Sequence, residues 1–331
     1  MVAPRVSILI PFHREGALLQ RATKSVIEQT LRDWQLVLVA NNANPETDSI
    51  ASELAAADSR IHLVHEPTPG IAHALNTGLR YCRGDFVARL DADDAMPADR
   101  LAKQATFLDE NAGIGLVSGQ VRFISENAEG YDAYVEQINS WQTEEDIRRY
   151  RFVESPVAHP SVMFRRGLID TYGDYTTAAV PEDYELWMRW LTAGVRFAKI
   201  PDVVLDWYDS PGRLSRTHDN YARRAFDRVR MEYLLQVLPR LLSGRPLWVC
   251  GGKYARKKAA WLSQHGMPVT GIVDLVPRRL MDFASLTYHE LPPPGMLFLV
   301  SMVSNRGGYR IVEKVLTERG HAHDRDFLLA S

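Results

Sequence analysis

Four short apolar runs, Val6–Ile10, Leu36–Ala40, Ile61–His65 and Phe86–Leu90, alternate with stretches of helical period such as residues 17–29. No other feature of the chain constrains its fold as much. A strand that is apolar along its whole length has both faces covered, the condition of a parallel or mostly parallel sheet between layers of helices. Ligands of such sheets bind beyond the carboxyl ends of the strands. Three polar clusters lie at those ends: PFHRE at 11–15, NNAN at 41–44, and the acidic part of ARLDADDAMPADRL at 88–101.

The acidic part places Asp91, Asp93 and Asp94 within four positions, where their mutual repulsion costs stability. Taken alone, the stretch fits two descriptions. One is a solvated acidic turn leading into a helix start at Pro97 and Asp99. The other is a set of oxygen ligands for a hard divalent cation such as Mg²⁺ or Mn²⁺, whose shell is completed by phosphate oxygens. A second acidic pair, Glu182 and Asp183, opens PEDYELWMRWLTAG at 181–194. At a helix start these carboxylates complement the helix dipole, or they serve chemistry. Trp187 and Trp190 follow on the same segment, as core residues or as faces for stacking a sugar.

Composition narrows the class. With 331 residues, 46% hydrophobic and 24% charged, the chain suits one large globular domain and a second small one. A net charge of −2 lacks the basic excess of a nucleic-acid binder. Cys82 and Cys250 are far apart and without metal spacing, which fits a reducing compartment, so a cytoplasmic location is expected. The first apolar run, about six residues before a proline, is too short for a signal peptide or a membrane span. Membrane contact, if any, is expected to be peripheral, at the inner face.

PRVSILIPFHRE, SVIEQTLRDWQLVLVANNAN, PGIAHALNTGLRYCRGDFVARLDADDAMPADRL, HPSVMFRR at 159–166 and PEDYELWMRWLTAG occur in this order. Together they resemble a family 2 glycosyltransferase of GT-A fold, over residues 4–218. The resemblance implies a nucleotide-diphospho-sugar transferase fold, a mostly parallel mixed sheet flanked by helices. It also implies inverting transfer of a sugar from a nucleotide-sugar donor to a hydroxyl acceptor, a glycan or lipid-linked glycan such as a cell-surface polysaccharide precursor, assisted by Mn²⁺ or Mg²⁺.

By the same resemblance, Asp91 lies near the donor ribose, and Asp93 and Asp94 lie at the metal, one as direct ligand and the other nearer the ribose. Asp183 matches the general base, with Glu182 beside it, while Pro11 and His13 match the base pocket and Asn76 a structural position near the nucleotide. Two departures matter. Leu75 stands where many relatives carry a basic residue, leaving the diphosphate charge to the metal and to His73, Arg89 or Arg213. Asn41 and Asn42 replace an aspartate pair that accepts the N3 proton of uracil. Asn42 can still pair with uracil, so a UDP-sugar is favoured, with GDP- and dTDP-sugars open. His159 is expected near the acceptor or diphosphate, or in a structural role, and residues 207–218 as a loop over the donor or a plain surface loop.

Domain bounds of 1–218, a helical linker at 219–243 and a small Rossmann-like α/β domain at 244–331 complete the expectation. RPLWVCGGKYARKKAAWLSQHGMPVTGIVDLVP reads as strand, glycine turn, helix and strand ending at Asp274, half of a dinucleotide fingerprint with Ala255 in the third glycine position. MLFLVSM at 296–302 and the closing RDFLLAS add two strands. The domain is too short for a full dinucleotide fold, and packing, homo-oligomerisation or regulation is its expected role. Two rival functions remain open. A nicotinamide-dependent oxidoreductase would use Gly251 and Gly252 but leaves both acidic clusters unexplained, and a silent glycan- or nucleotide-binding regulator would keep the fold without the metal.

Overall fold

The computed structural model describes residues 3–125, 131–209, 218–276, 282–303 and 307–330. The chain divides into two compact units, residues 1–147 with 156–225, and residues 148–155 with 226–331.

The first unit is built on a seven-stranded sheet of order β3-β2-β1-β4-β6-β5-β7. Its strands are β1 (Val6–Phe12), β2 (Trp34–Asn41), β3 (Ile61–Glu66), β4 (Phe86–Arg89), β5 (Ile114–Ile124), β6 (Met163–Arg165) and β7 (Arg196–Tyr208). The first four are mutually parallel, β6 runs antiparallel to β4 and β5, and β5 pairs parallel with β7. Burial explains the sequence pattern: β1 and β2 are covered along nearly their whole length, so both faces are apolar.

Helices α1 (Ala17–Ile27), α2 (Pro45–Ala57) and α3 (Ile71–Tyr81) connect the parallel strands. Gly78 of α3 is required by close approach, because a Cβ there would lie 2.2 Å from Leu9 Cδ1 and 2.9 Å from Val39 Cγ2. That contact seats α3 on β1 and β2. Arg89 is the register partner of Leu9, so the acidic stretch leaves the sheet near the level at which β1 ends. Helix α4 (Arg100–Glu110) begins after Asp99, which gives no side-chain cap and pairs instead with Lys103 at 2.7 Å. Further on lie α5 (Tyr131–Ser140), α6 (Glu144–Tyr150), α7 (Gly167–Tyr172) and α8 (Glu182–Thr192).

The second unit carries a five-stranded, all-parallel sheet of order β10-β9-β8-β11-β12. It comprises β8 (Leu247–Cys250), β9 (Val269–Asp274), β10 (Ala284–Thr287), β11 (Phe298–Ser301) and β12 (Phe327–Leu329). The long helical segment after residue 218 is a 3₁₀ turn, Asp219–Tyr221, that belongs to the first unit, followed by α9 (Arg223–Leu242), which belongs to the second from Phe226 on; α10 (Lys253–Gln264) and α11 (Gly308–Glu318) complete the second unit. Residues 148–155 belong to this unit through Arg149 and Tyr150 on Glu313, at 3.3 and 3.0 Å, an interruption of the first unit with no counterpart in the sequence-based boundaries. Among the described residues, no helix is long and apolar enough to cross a membrane.

Candidate active site

Carboxylate oxygens of Asp91, Asp93 and Asp94 lie within 4.8 Å of one another at the end of β4. The three are not equivalent. Asp94 is fully buried and accepts the backbone N–H of Tyr208 at 3.0 Å, which ties the acidic turn to the end of β7. Asp91 and Asp93 keep part of their surface open. Mutual backbone bonds of Ala95 and Asp206 extend the tie, and Arg21 donates to the Asp93 carbonyl while its guanidinium lies 3.6 Å from the Tyr208 ring centroid. Three hard oxygen donors in such a cluster fit a divalent cation of the Mg²⁺ or Mn²⁺ type.

Arg89 is the charge that makes this crowding tolerable. Only 1% exposed, it donates to Asp91 Oδ1 at 2.5 Å and to the Leu90 carbonyl. The sequence placed Arg89 among residues able to meet a diphosphate; the structure makes it an internal counter-ion, because burial and the Asp91 pairing leave it no open face. Arg100 supports the same turn from beneath, buried and donating to the carbonyls of Arg89, Pro160 and Val162 at 2.9, 2.9 and 3.2 Å.

The second acidic pair lies within electrostatic reach of this charge. Arg89 and Asp91 both act electrostatically on Asp183, the one lowering and the other raising its pKa. Burial is the largest influence and lifts the Asp183 carboxyl to about 6; its Oδ1 accepts the N–H of Tyr184 at 2.7 Å. Glu182 is 3% exposed, and burial followed by the Asp183 charge drives its pKa well up. Its Oε2 accepts the Tyr221 hydroxyl at 2.6 Å, and His159 Nδ1 lies 3.9 Å from Oε1. His159 itself is buried, bonded through Nε2 to the Tyr175 hydroxyl at 2.9 Å, and burial followed by Arg89 drives its pKa down, so the ring is neutral.

Other expected residues are placed as follows. His13 shares a hydrogen bond with the Asn41 carbonyl at 2.9 Å, and Pro11 precedes it at the β1 end. Asn41 spends its side chain on the strand-end loops, donating to Glu66 and Thr68 carbonyls and accepting from the Gly70 N–H. Asn42 is exposed, at φ +52, a left-handed conformation that asparagine tolerates. Asn76 uses both ends of its amide on the Tyr175 backbone, at 2.8 and 2.9 Å, which positions Tyr175 and through it His159. His73 is half-buried in the first turn of α3. Arg213 lies outside the described residues, as does most of the 207–218 loop. Trp187 and Trp190 are wholly buried, packed edge to face at 5.6 Å between centroids within the core beneath the site, so neither presents a face to a sugar. Arg21, Arg100, Tyr175 and Tyr221 gave no signal in the sequence, since each acts across a long separation.

The Glycosyl transferase family 2 model matches residues 7–173. A PGL/p-HBAD biosynthesis glycosyltransferase of Mycobacterium bovis is 31% identical over 220 residues, 66% of this chain and 81% of that protein. Among solved structures, Staphylococcus aureus TarS 1-349 in complex with UDP-GlcNAc is similar at TM-score 0.56 and 17% identity, over 79% of this chain and 72% of that one. The mannosyltransferase PcManGT of Pyrobaculum calidifontis, in complex with GDP-Man and Mn²⁺, is similar at TM-score 0.50 and 24% identity over 72% of this chain. The match spans 65% of that chain, less than two thirds. At these identities the solved structures establish the fold, which is GT-A. From the family match and the mycobacterial relative, the chain belongs to glycosyl transferase family 2.

Proposed function

We propose that this chain transfers a glycosyl group, with inversion, from a nucleotide-diphosphate sugar to an acceptor hydroxyl. The observation that carries the proposal is the juxtaposition of two acidic groups of different character: an oxygen cluster at Asp91, Asp93 and Asp94, and a pair formed by the buried Glu182 and the half-buried Asp183, with Arg89 acting on both. One set suits the cationic and phosphate side of a donor, the other suits proton removal.

In this reading Asp93 and Asp94 hold a divalent ion, and Asp91 lies nearer the ribose. When bound, the ion supplies Lewis-acid stabilisation of the departing diphosphate. Asp183 accepts the acceptor hydroxyl proton as its oxygen attacks the anomeric carbon from the face opposite the leaving group. A carboxyl raised to about 6 is ionised at neutral pH and more basic than an exposed aspartate, which suits it to that proton. Pro11, His13 and Asn42 line the side that receives the base, with UDP favoured over GDP and dTDP. The complexes named for TarS and PcManGT support a nucleotide sugar as the donor class.

The test is release of nucleoside diphosphate from a panel of UDP-, GDP- and dTDP-sugars with Mn²⁺, with and without hydroxyl acceptors. Release should be slow alone, faster with an acceptor, and lost in chelator. Asp93→Asn should lower turnover by orders of magnitude and remove the Mn²⁺ dependence of donor binding, because a hard-cation site loses a charged ligand. Full activity in chelator would sink the metal assignment.

A further inference from the structure

Helix α8 begins on Pro181 without a side-chain cap, and its first turn carries Glu182, Asp183 and Glu185. Nothing in the cap geometry therefore fixes how this turn presents its carboxylates. Asp183 Oδ1 takes the Tyr184 N–H of the same turn at 2.7 Å, whereas the hold on Glu182 comes from elsewhere in the chain. The 3₁₀ turn Asp219–Tyr221 brings the Tyr221 hydroxyl onto Glu182 Oε2 at 2.6 Å, while the ring of His159, held by Tyr175, stands on the Oε1 side at 3.9 Å. Glu182 is thus held inside the protein by the Tyr221 hydroxyl, with the neutral His159 ring packed nearby, and the residue after it lies within electrostatic reach of Arg89 and Asp91.

We propose that Tyr221 is a positioning residue for the acceptor-side step: by holding Glu182, its hydroxyl sets the rotation of the first turn of α8 and so the placement of the Asp183 carboxylate. Tyr221 lies beyond residues 7–173 of the family match, and no sequence motif marks it. The inference rests on the reading of Asp183 as the base. Glu182 buries a carboxyl beside a second one, an arrangement that costs stability unless a donor is supplied. A tyrosine whose pKa is itself pushed up by burial and by Glu182 remains a hydrogen-bond donor at neutral pH. Phenylalanine would keep the ring packing and remove only that donor.

The experiment is a double-mutant cycle on kcat and donor KM with Y221F, E182A and the double variant, and D183N measured in parallel. Y221F should lower kcat by about tenfold or more, the scale on which small displacements of a reacting group act, and leave donor KM within about twofold. Its loss should vanish in the E182A background, because the hydroxyl acts only through that carboxyl. Far-ultraviolet circular dichroism and melting confirm that Y221F is folded. A kcat for Y221F within about twofold of the unmodified chain overturns the proposal, as do losses that multiply independently in the double variant. If D183N keeps its turnover, the base assignment itself fails; if D183N is inactive while Y221F is normal, only the role of Tyr221 falls.

Discussion

At the scale of single residues, the acidic pair gives the sharpest consequence for pH. Burial raises Asp183 from 3.8 to about 6, so turnover should fall as pH drops through that value and the base takes up a proton. Stability runs the opposite way. Between pH 3.8 and about 6 the folded chain holds a proton that the unfolded chain has released, and the raised Glu182 acts in the same sense. The contribution of the pair to stability is therefore greatest at low pH and is lost as pH rises through the folded values. D183N should flatten that part of the melting-temperature profile and lower turnover by about a hundredfold or more, with donor affinity unchanged. A steeper profile in D183N would contradict the burial argument. Base choice rests on another single residue. Asn42 offers one carbonyl acceptor where a carboxylate would make a charge-assisted bond, a difference of about 1 kcal/mol. Asn42→Asp should tighten UDP binding in a calorimetric titration, whereas abolished binding, or GDP or dTDP outcompeting UDP in the unmodified chain, would mean that another base is read.

Elements hold these residues in register, and Arg100 at the start of α4 is the clearest case. Its buried guanidinium meets three carbonyls on β4 and around β6, and its Nε meets Gln104, which reaches the Val117 and Ser161 carbonyls. Arg100→Met would take the Arg100 donor from the buried carbonyls of Arg89 and Pro160, while Val162 keeps the Arg89 N–H; at about 1–3 kcal/mol each, denaturant unfolding should show a loss of about 2 kcal/mol or more. Arg100→Lys should not restore it, because an ammonium cannot reproduce the planar fork. Unaltered stability in the methionine variant would show that the fork is dispensable. Such elements also mark the limit of the sequence. Strands β1 to β4 were legible because each is a continuous apolar run, and the DADD turn because like charges in a row are conspicuous. Strand β6 is three residues long, and β7 carries Lys199, Pro201 and Asp202 within RFAKIPDVVLDWY, so neither declares itself by period. The Trp187 and Trp190 pair left core and sugar platform both open, because helical spacing alone does not separate a core face from a binding face, and their complete burial decides for the core.

At the scale of the whole molecule, the two units supply an internal control for ligand binding. Five tryptophans, Trp34, Trp141, Trp187, Trp190 and Trp207, lie in the first unit, while the second holds Trp248 and Trp261. Intrinsic fluorescence therefore reports mainly on the unit that carries both acidic groups, and calorimetry reports on both units. A ligand that binds only the folded state stabilises by mass action, about 2.7 kcal/mol at a hundred times its dissociation constant. For a unit of this size each kcal/mol moves the midpoint by about 2–4 °C, so saturating donor nucleotide with Mn²⁺ should raise the fluorescence-detected transition by about 5–10 °C. Mn²⁺ alone should give a smaller rise, since it relieves the repulsion among Asp91, Asp93 and Asp94, and Asp93→Asn should remove most of that rise. In this variant the metal-free transition should lie at or above that of the unmodified chain, because one of the repelling charges is gone. A nucleotide-induced shift confined to a calorimetric transition that fluorescence does not follow would place the nucleotide in the second sheet, on the glycine turn at Gly251 and Gly252, and would overturn the assignment of the donor to the DADD rim.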